Sequence, residues 1–147
     1  MSNQTLEQKR ANYAFRMIQT VIDKDYEKEF SSLISKLPTL ILTNGLGNTL
    51  SFLFSKGKEY HLLTIAILTN WLFNESDLKV IKGKFQDEWF DNLEKLKDKE
   101  NIANILNPIV LEANTEEYIF ATEETLRLLN WLRRFSEAML KKGDENA

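Results

Sequence analysis

Hydrophobic positions in the last third of the chain repeat with a helical period. Ala121, Thr125, Leu128, Leu132, Phe135 and Met139 recur at alternating four- and three-residue steps, which places them on one face of a helix. No Gly or Pro interrupts the run from Thr115 to Gly143, so the pattern predicts one long C-terminal helix. Arg127, Asn130, Arg134 and Lys141 project onto the opposite face. Upstream, Thr5-Leu6-Glu7-Gln8 has capping-box spacing and opens a first helix, with Ala14, Ile18, Val21 and Ile22 as its apolar stripe. A second helix is predicted from about Tyr26 to Leu37. Pro38 ends it or starts the next turn. Asn44-Gly45-Leu46-Gly47 is the one strong turn signal, and the helix that follows runs to Gly57. His61 to Phe73 is apolar nearly all round, which marks the central buried helix. Asn74 to Gly83 reads as a loop or short helical turn. Phe85, Trp89, Leu93 and Leu96 predict another amphipathic helix with Asp87, Asp91 and Glu94 outside, and Asn107-Pro108 breaks the chain before the final segment. No alternating strand pattern occurs. The expectation is an all-α single domain, residues 1–147, of about six helices, fraying at 1–4 and 143–147.

Composition narrows the classes. A chain of 147 residues is long enough to bury a core as one domain. There is no cysteine, so neither a disulfide framework nor a thiolate metal site is available. The longest apolar run, Leu62 to Phe73, is too short to span a bilayer, and no N-terminal signal stands out. A cytoplasmic protein without membrane contact is expected. The formal net charge of −3 argues against a free-standing nucleic-acid binder that relies on bulk charge. The charge is uneven, however. Residues 1–74 carry eight Lys/Arg against six Asp/Glu, and residues 75–114 carry six against nine.

Candidate chemistry is sparse. His61 is the only histidine, and one His without Cys cannot build the usual zinc sites. Gly45-Leu46-Gly47 lacks the further glycines of a dinucleotide loop and the lysine of a P-loop. Glu116-Glu117 suits the positive end of the last helix, and Glu123-Glu124 suits its solvated side. No enzymatic activity and no cofactor are expected. The remaining signal is cationic: Lys9 and Arg16 on the first helix, and Arg127, Arg133, Arg134 and Lys141 on the last. A solvated face with pairs such as Glu123–Arg127 would explain them. Trp131, projecting off the core stripe beside Arg127 and Arg134, fits an interface or a nucleic-acid backbone better than plain solvent.

Three segments then resemble one family. Ala121-Thr-Glu-Glu-Thr-Leu-Arg-Leu-Leu-Asn-Trp-Leu-Arg-Arg-Phe-Ser-Glu-Ala is similar to the C-terminal signature of the small α-helical subunit of the Cmr complex, the type III-B CRISPR RNA-guided effector. Gln8-Lys9-Arg10-Ala11-x-x-Ala14 and Leu37-Pro38-x-x-Ile41-x-x-Asn44-Gly45-Leu46-Gly47 resemble the same family, in the expected order. Residues 75–114 match no motif. The resemblance implies an all-helical, non-catalytic subunit in antiviral defence. Its copies would stack on one another along the backbone filament that holds the guide RNA. A basic surface would support the guide RNA–target RNA duplex. The implied RNA-binding or subunit-interface residues are Lys9, Arg10, Arg16, Arg127, Trp131, Arg133, Arg134 and Lys141. The implied partners are other Cmr subunits, neighbouring copies, guide RNA and target RNA. Net acidity and the lack of a visible stacking platform lead to the expectation that the isolated chain is largely monomeric and binds RNA weakly. The alternatives are a helical adaptor that binds protein only and, third, a helical enzyme.

Overall fold

In the computed structural model, which describes residues 4–76 and 81–142, six α-helices pack with one of them buried among the others. They are α1 (Leu6–Gln19), α2 (Glu27–Asn44), α3 (Leu46–Lys56), α4 (Glu59–Asn70), α5 (Lys99–Asn107) and α6 (Thr115–Met139). No strand occurs among the described residues, in line with the all-α expectation. Every residue from His61 to Phe73 is buried, so the predicted centre is the observed one. α4 packs against α3 and α2, while α6 crosses α1 and α2.

The capping box predicted for α1 forms. Thr5 Oγ1 accepts from the Gln8 amide at 3.1 Å, and Gln8 Oε1 accepts from the Thr5 amide at 2.8 Å. Of the expected stripe, Ala14, Ile18 and Val21 are buried and Ile22 is exposed. Tyr13, unremarked in the sequence, is also buried. Its hydroxyl donates to the Ile67 carbonyl at 2.7 Å and accepts from Asn70 Nδ2 at 3.2 Å, tying α1 to α4.

Pro38 does not end α2, which continues to Asn44. A mid-helix proline costs about 3 kcal/mol through one lost hydrogen bond and a ring clash. Ile34, Leu37 and Ile41 lie on the face that enters the core, and each contributes about 1.5–3 kcal/mol when fully buried. Burial therefore outweighs the local preference. The turn expected at Asn44–Gly47 is present. Gly45, at φ 88°, joins α2 to α3 in a conformation that disfavours side chains. A Cβ on Gly47 would lie 2.9 Å from Val110 Cγ2, and the Gly47 amide donates to Tyr118 Oη at 2.9 Å. These contacts give the second glycine its own reason. α3 then stops at Gly57, as expected.

Two sequence-based expectations need correction downstream. α4 passes at Trp71–Glu75 into a π-helical turn. The amphipathic helix expected around residues 85–96 is instead two 3₁₀ turns, Asp87–Phe90 and Leu93–Lys97, separated at Asp91 and Asn92, with non-helical backbone at Asn92 (φ -146°, ψ 83°). Of the four predicted anchors, Phe85, Trp89 and Leu96 are buried and Leu93 packs partly against the core. Aromatic, Asp and Asn residues form helices poorly, and Phe85 packs edge-on to Trp89 at 5.0 Å. Asn74 stabilises this region, its Nδ2 donating to the Phe85 carbonyl at 2.6 Å. Part of the expected 74–83 loop, and the fraying expected at 143–147, lie outside the described residues.

Leu68→Asp should abolish folding, because an unpaired carboxylate at a site 2 % exposed costs several kcal/mol. Circular dichroism during thermal melting checks this; a variant that melts like the parent would remove α4 from the centre.

Candidate interface on the first and last helices

α6 begins with a second capping box. Asn114 Oδ1 accepts from the Glu117 amide, and Glu117 Oε1 accepts from the Asn114 amide, both at 2.8 Å. The pair Glu116-Glu117 thus sits at the helix's positive end, as its sequence suggests. Ala121, Thr125, Leu128 and Leu132 are buried, and Phe135 and Met139 pack partly against the core.

Glu124 corrects the reading of the Glu123-Glu124 pair. Glu123 is exposed, but Glu124 is only 3 % exposed. It receives Arg10 Nε at 2.6 Å and Arg10 Nη2 at 2.7 Å, a two-pronged ion pair between α1 and α6. Trp71 Nε1 donates to the same carboxylate at 2.9 Å, bringing in the turn after α4. Arg10 also donates through Nη1 to Glu7 Oε2 at 3.0 Å. Hydrogen bonding to Glu124 raises the Arg10 pKa further, against the lowering effect of burial. Arg10 is therefore an internal strut between α1 and α6, 4 % exposed. Spacing held the signal: Glu124 stands three residues after Ala121 and four before Leu128, within the core stripe.

Trp131 is half-buried and engaged internally. Its indole N–H donates to Glu7, it stacks on Phe135 at 5.6 Å, and Phe135 meets Phe15 edge-on at 5.5 Å. Trp131 thus seals the contact between α1 and α6.

The other candidate cations divide by position. Arg127 and Arg134 are exposed on α6, and no ion pair among the described residues holds them. Glu123 and Arg127, which a solvated face would pair, form no ion pair. Arg133 is half-buried, and its Nε lacks a hydrogen-bond partner. On α1, Lys9 is half-buried. Arg16 is exposed, donating to Asn12 Oδ1 at 3.0 Å with its guanidinium 5.7 Å from the Tyr13 ring centre. Lys141 leaves the predicted row. The helix ends at Met139, and Leu140 turns extended to bury its side chain, so Lys141 is exposed beyond the helical face. What the fold brings together is a pair of packed helices, α1 with Lys9 and Arg16, and α6 with Arg127, Arg133 and Arg134.

Among the described residues no three His, Asp or Glu side chains converge as a metal site, and no helix is long and apolar enough to cross a membrane. His61 is buried on α4 with its ring 4.2 Å from that of Tyr60. Burial lowers its pKa, and Lys56 and Lys58 lower it further.

Residues 6–139 match the family model described as CRISPR-associated protein (Cas_Cmr5). The CRISPR system Cmr subunit Cmr5 of Thermus thermophilus is 25% identical over 132 residues, covering 90% of this chain and 93% of that protein. The crystal structure of a CRISPR-associated Cmr5 family protein, also from Thermus thermophilus, aligns with a TM-score of 0.65 at 23% identity, over 94% of this chain and 99% of that one. The structural match speaks for a shared fold.

Glu124→Ala should destabilise the domain by about 3–5 kcal/mol, because it leaves the buried Arg10 with only the exposed Glu7 as a partner. Arg10→Met with Glu124→Leu should recover much of that loss; urea denaturation of both variants measures the difference. His61 supplies a pH test. Its folded-state pKa lies below the unfolded value of about 6.5, so the unfolded chain takes the proton first. His61 therefore costs nothing above that pH, and its cost grows as the pH falls toward the folded-state pKa. Relative to His61→Gln, the parent should lose stability between pH 7.5 and pH 5; a constant difference in urea midpoints would contradict this.

Proposed function

The chain belongs to the CRISPR-associated Cmr5 family, and from that premise we propose that it is a non-catalytic structural subunit of a type III-B Cmr effector. In this reading it stacks along the backbone filament and supports the guide RNA–target RNA duplex through the outer faces of α1 and α6. The observation that carries the reading is the exposure of Arg127 and Arg134 on the helix that also carries the family-like C-terminal segment. Arg16 is also exposed, on the adjoining helix α1, while Lys9 and Arg133 are half-buried on the two helices. Arg10 has no part in it, and Trp131 acts through the packing of α1 on α6.

Such a face reads no sequence. In a guided complex, base pairing selects the target while protein cations position the phosphates. A few weak contacts per subunit, repeated along a filament, add through effective concentration. A chain of net charge −3 can therefore serve an RNA-containing assembly while binding RNA weakly as a monomer. Contact with neighbouring subunits falls to the exposed apolar residues at the other end of α6 and just before it: Leu111, 73 % exposed, with Val110, Ile119 and Phe120. The large acidic share of residues 75–114 fits a basic neighbour.

Replacing Arg127, Arg133 and Arg134 with Ala should leave the fold intact, since changes at the exposed Arg127 and Arg134 usually cost under about 0.5 kcal/mol each, and truncating the half-buried Arg133 removes an Nε that has no hydrogen-bond partner. Filter binding with the reassembled complex should find weaker retention of target RNA and a shallower salt dependence. Wild-type affinity and salt slope in the triple variant would favour the protein-only adaptor.

A further inference from the structure

A groove of about 770 Å³ lies on a different part of the surface, between α2 and the α3–α4 pair. Its volume is typical of ligand clefts. One wall is a single row on α2. Lys28, Ser32, Lys36 and Leu40 follow one another at four-residue steps, so they stack along one side of the helix. The two lysines are about 12 Å apart along the axis at about 1.5 Å per residue. The facing wall is aromatic, with Phe52 from α3 and Tyr60 and His61 from α4. Lys142 adds a third ammonium group, against the single carboxylate of Glu29.

Phe52 is 44 % exposed, a large ring that the rest of the protein leaves half uncovered. Lys56 Nζ lies 5.4 Å from its centre. Phe52 and Leu40 also line an adjoining pocket of about 210 Å³, whose other members are Asn44, Asn48 and Thr49. Asn44 and Asn48 are exposed amides. His61 is more than nine-tenths buried at the groove wall, and its Nδ1 has no hydrogen-bond partner in the protein. Its lowered pKa keeps the ring neutral near pH 7, with one donor and one acceptor.

Each part answers to one part of a nucleotide. Exposed rings offer stacking surfaces to a base of any identity. Amides can bond to base edges. A lysine row tracks successive phosphates. We propose that this groove binds an unpaired nucleic-acid strand, with a base on Phe52 toward Asn44 and Asn48 and phosphates on Lys36 and Lys28. An acidic peptide could meet the lysines, but it would leave the aromatic wall and the amides unexplained. The site does not depend on the α1–α6 reading, because it draws on α2, α3 and α4. The amino-acid sequence shows no stacking platform; the fold assembles one from Phe52 and Tyr60.

Fluorescence anisotropy on the full chain at low salt tests the proposal. The probes are a labelled single-stranded adenylate hexamer, an RNA duplex of the same length and a polyglutamate peptide, with adenosine monophosphate as competitor. The hexamer should bind better than the duplex. Phe52→Ala should weaken it by about five- to a hundredfold, the range of a lost stacking contact. Lys36→Glu should weaken it and flatten its salt dependence. Both positions are exposed, so melting curves should stay near wild type. Arg127→Ala with Arg134→Ala should leave hexamer binding unchanged, which separates this site from the α1–α6 face. Competition by the monophosphate would identify a seat for one nucleotide, and competition only by the hexamer would identify a strand site. The proposal is overturned if Phe52→Ala and Lys36→Glu bind the hexamer as the parent does. It is equally overturned if polyglutamate binds and the hexamer does not.

Discussion

One buried ion pair organises the packing of α6. Glu124 sits where helical geometry puts a core residue, and removing a carboxylate from water costs several kcal/mol even after relaxation. The cost is offset only by good geometry and by satisfying the remaining lone pairs. Arg10 supplies two parallel donors at 2.6 and 2.7 Å, and Trp71 supplies a third at 2.9 Å. Three segments distant in sequence therefore have to meet at one point. A hydrophobic triad of similar volume could be equally stable or more so. What the polar version adds is selectivity, because a half-turn rotation of α6 would leave Arg10 and Glu124 unpaired in apolar surroundings. The same constraint determines which way Arg127 and Arg134 face.

The sequence was most informative where one period governed a long segment. The core stripe of α6, the all-round burial of α4 and both ends of α3 were readable because local spacing and tertiary burial agree there. Pro38 and residues 85–97 depart from their local pattern for opposite reasons. At Pro38, burial of Ile34, Leu37 and Ile41 overrode a local breaker. Around Trp89, the apolar spacing of a helix was met by two short turns, because anchoring depends on where rings point rather than on continuous backbone. In the candidate interface, Arg127 and Arg134 follow from projection on one helix. Arg10 and Trp131 could not be placed that way, since their partners lie more than a hundred residues away. Glu124 can be, because its three-and-four spacing from Ala121 and Leu128 puts it in the core stripe despite its charge.

Net charge proves a poor guide to the local field of this domain. The groove beside α2 collects three ammonium groups and one carboxylate on a chain whose total is −3. Exposed Asp87, Glu88, Asp91 and Glu94 carry much of the opposing charge in a separate segment. At physiological salt the Debye length is about 8 Å, so exposed charges beyond that distance are largely screened from one another. Each face can then meet its own partner with its own sign.

The 25-residue α6 has one more consequence. At about 1.5 Å per residue it is a rod of roughly 37 Å, continuous from its Asn114 cap to Met139. Phe120 and Arg134, near opposite ends of the rod, are held about 21 Å apart along its axis by backbone hydrogen bonds alone. Whatever touches the apolar end and whatever touches the cationic end are therefore kept at a set interval. In a repeating assembly the helix would act as a measuring stick, setting a constant spacing between its two contacts.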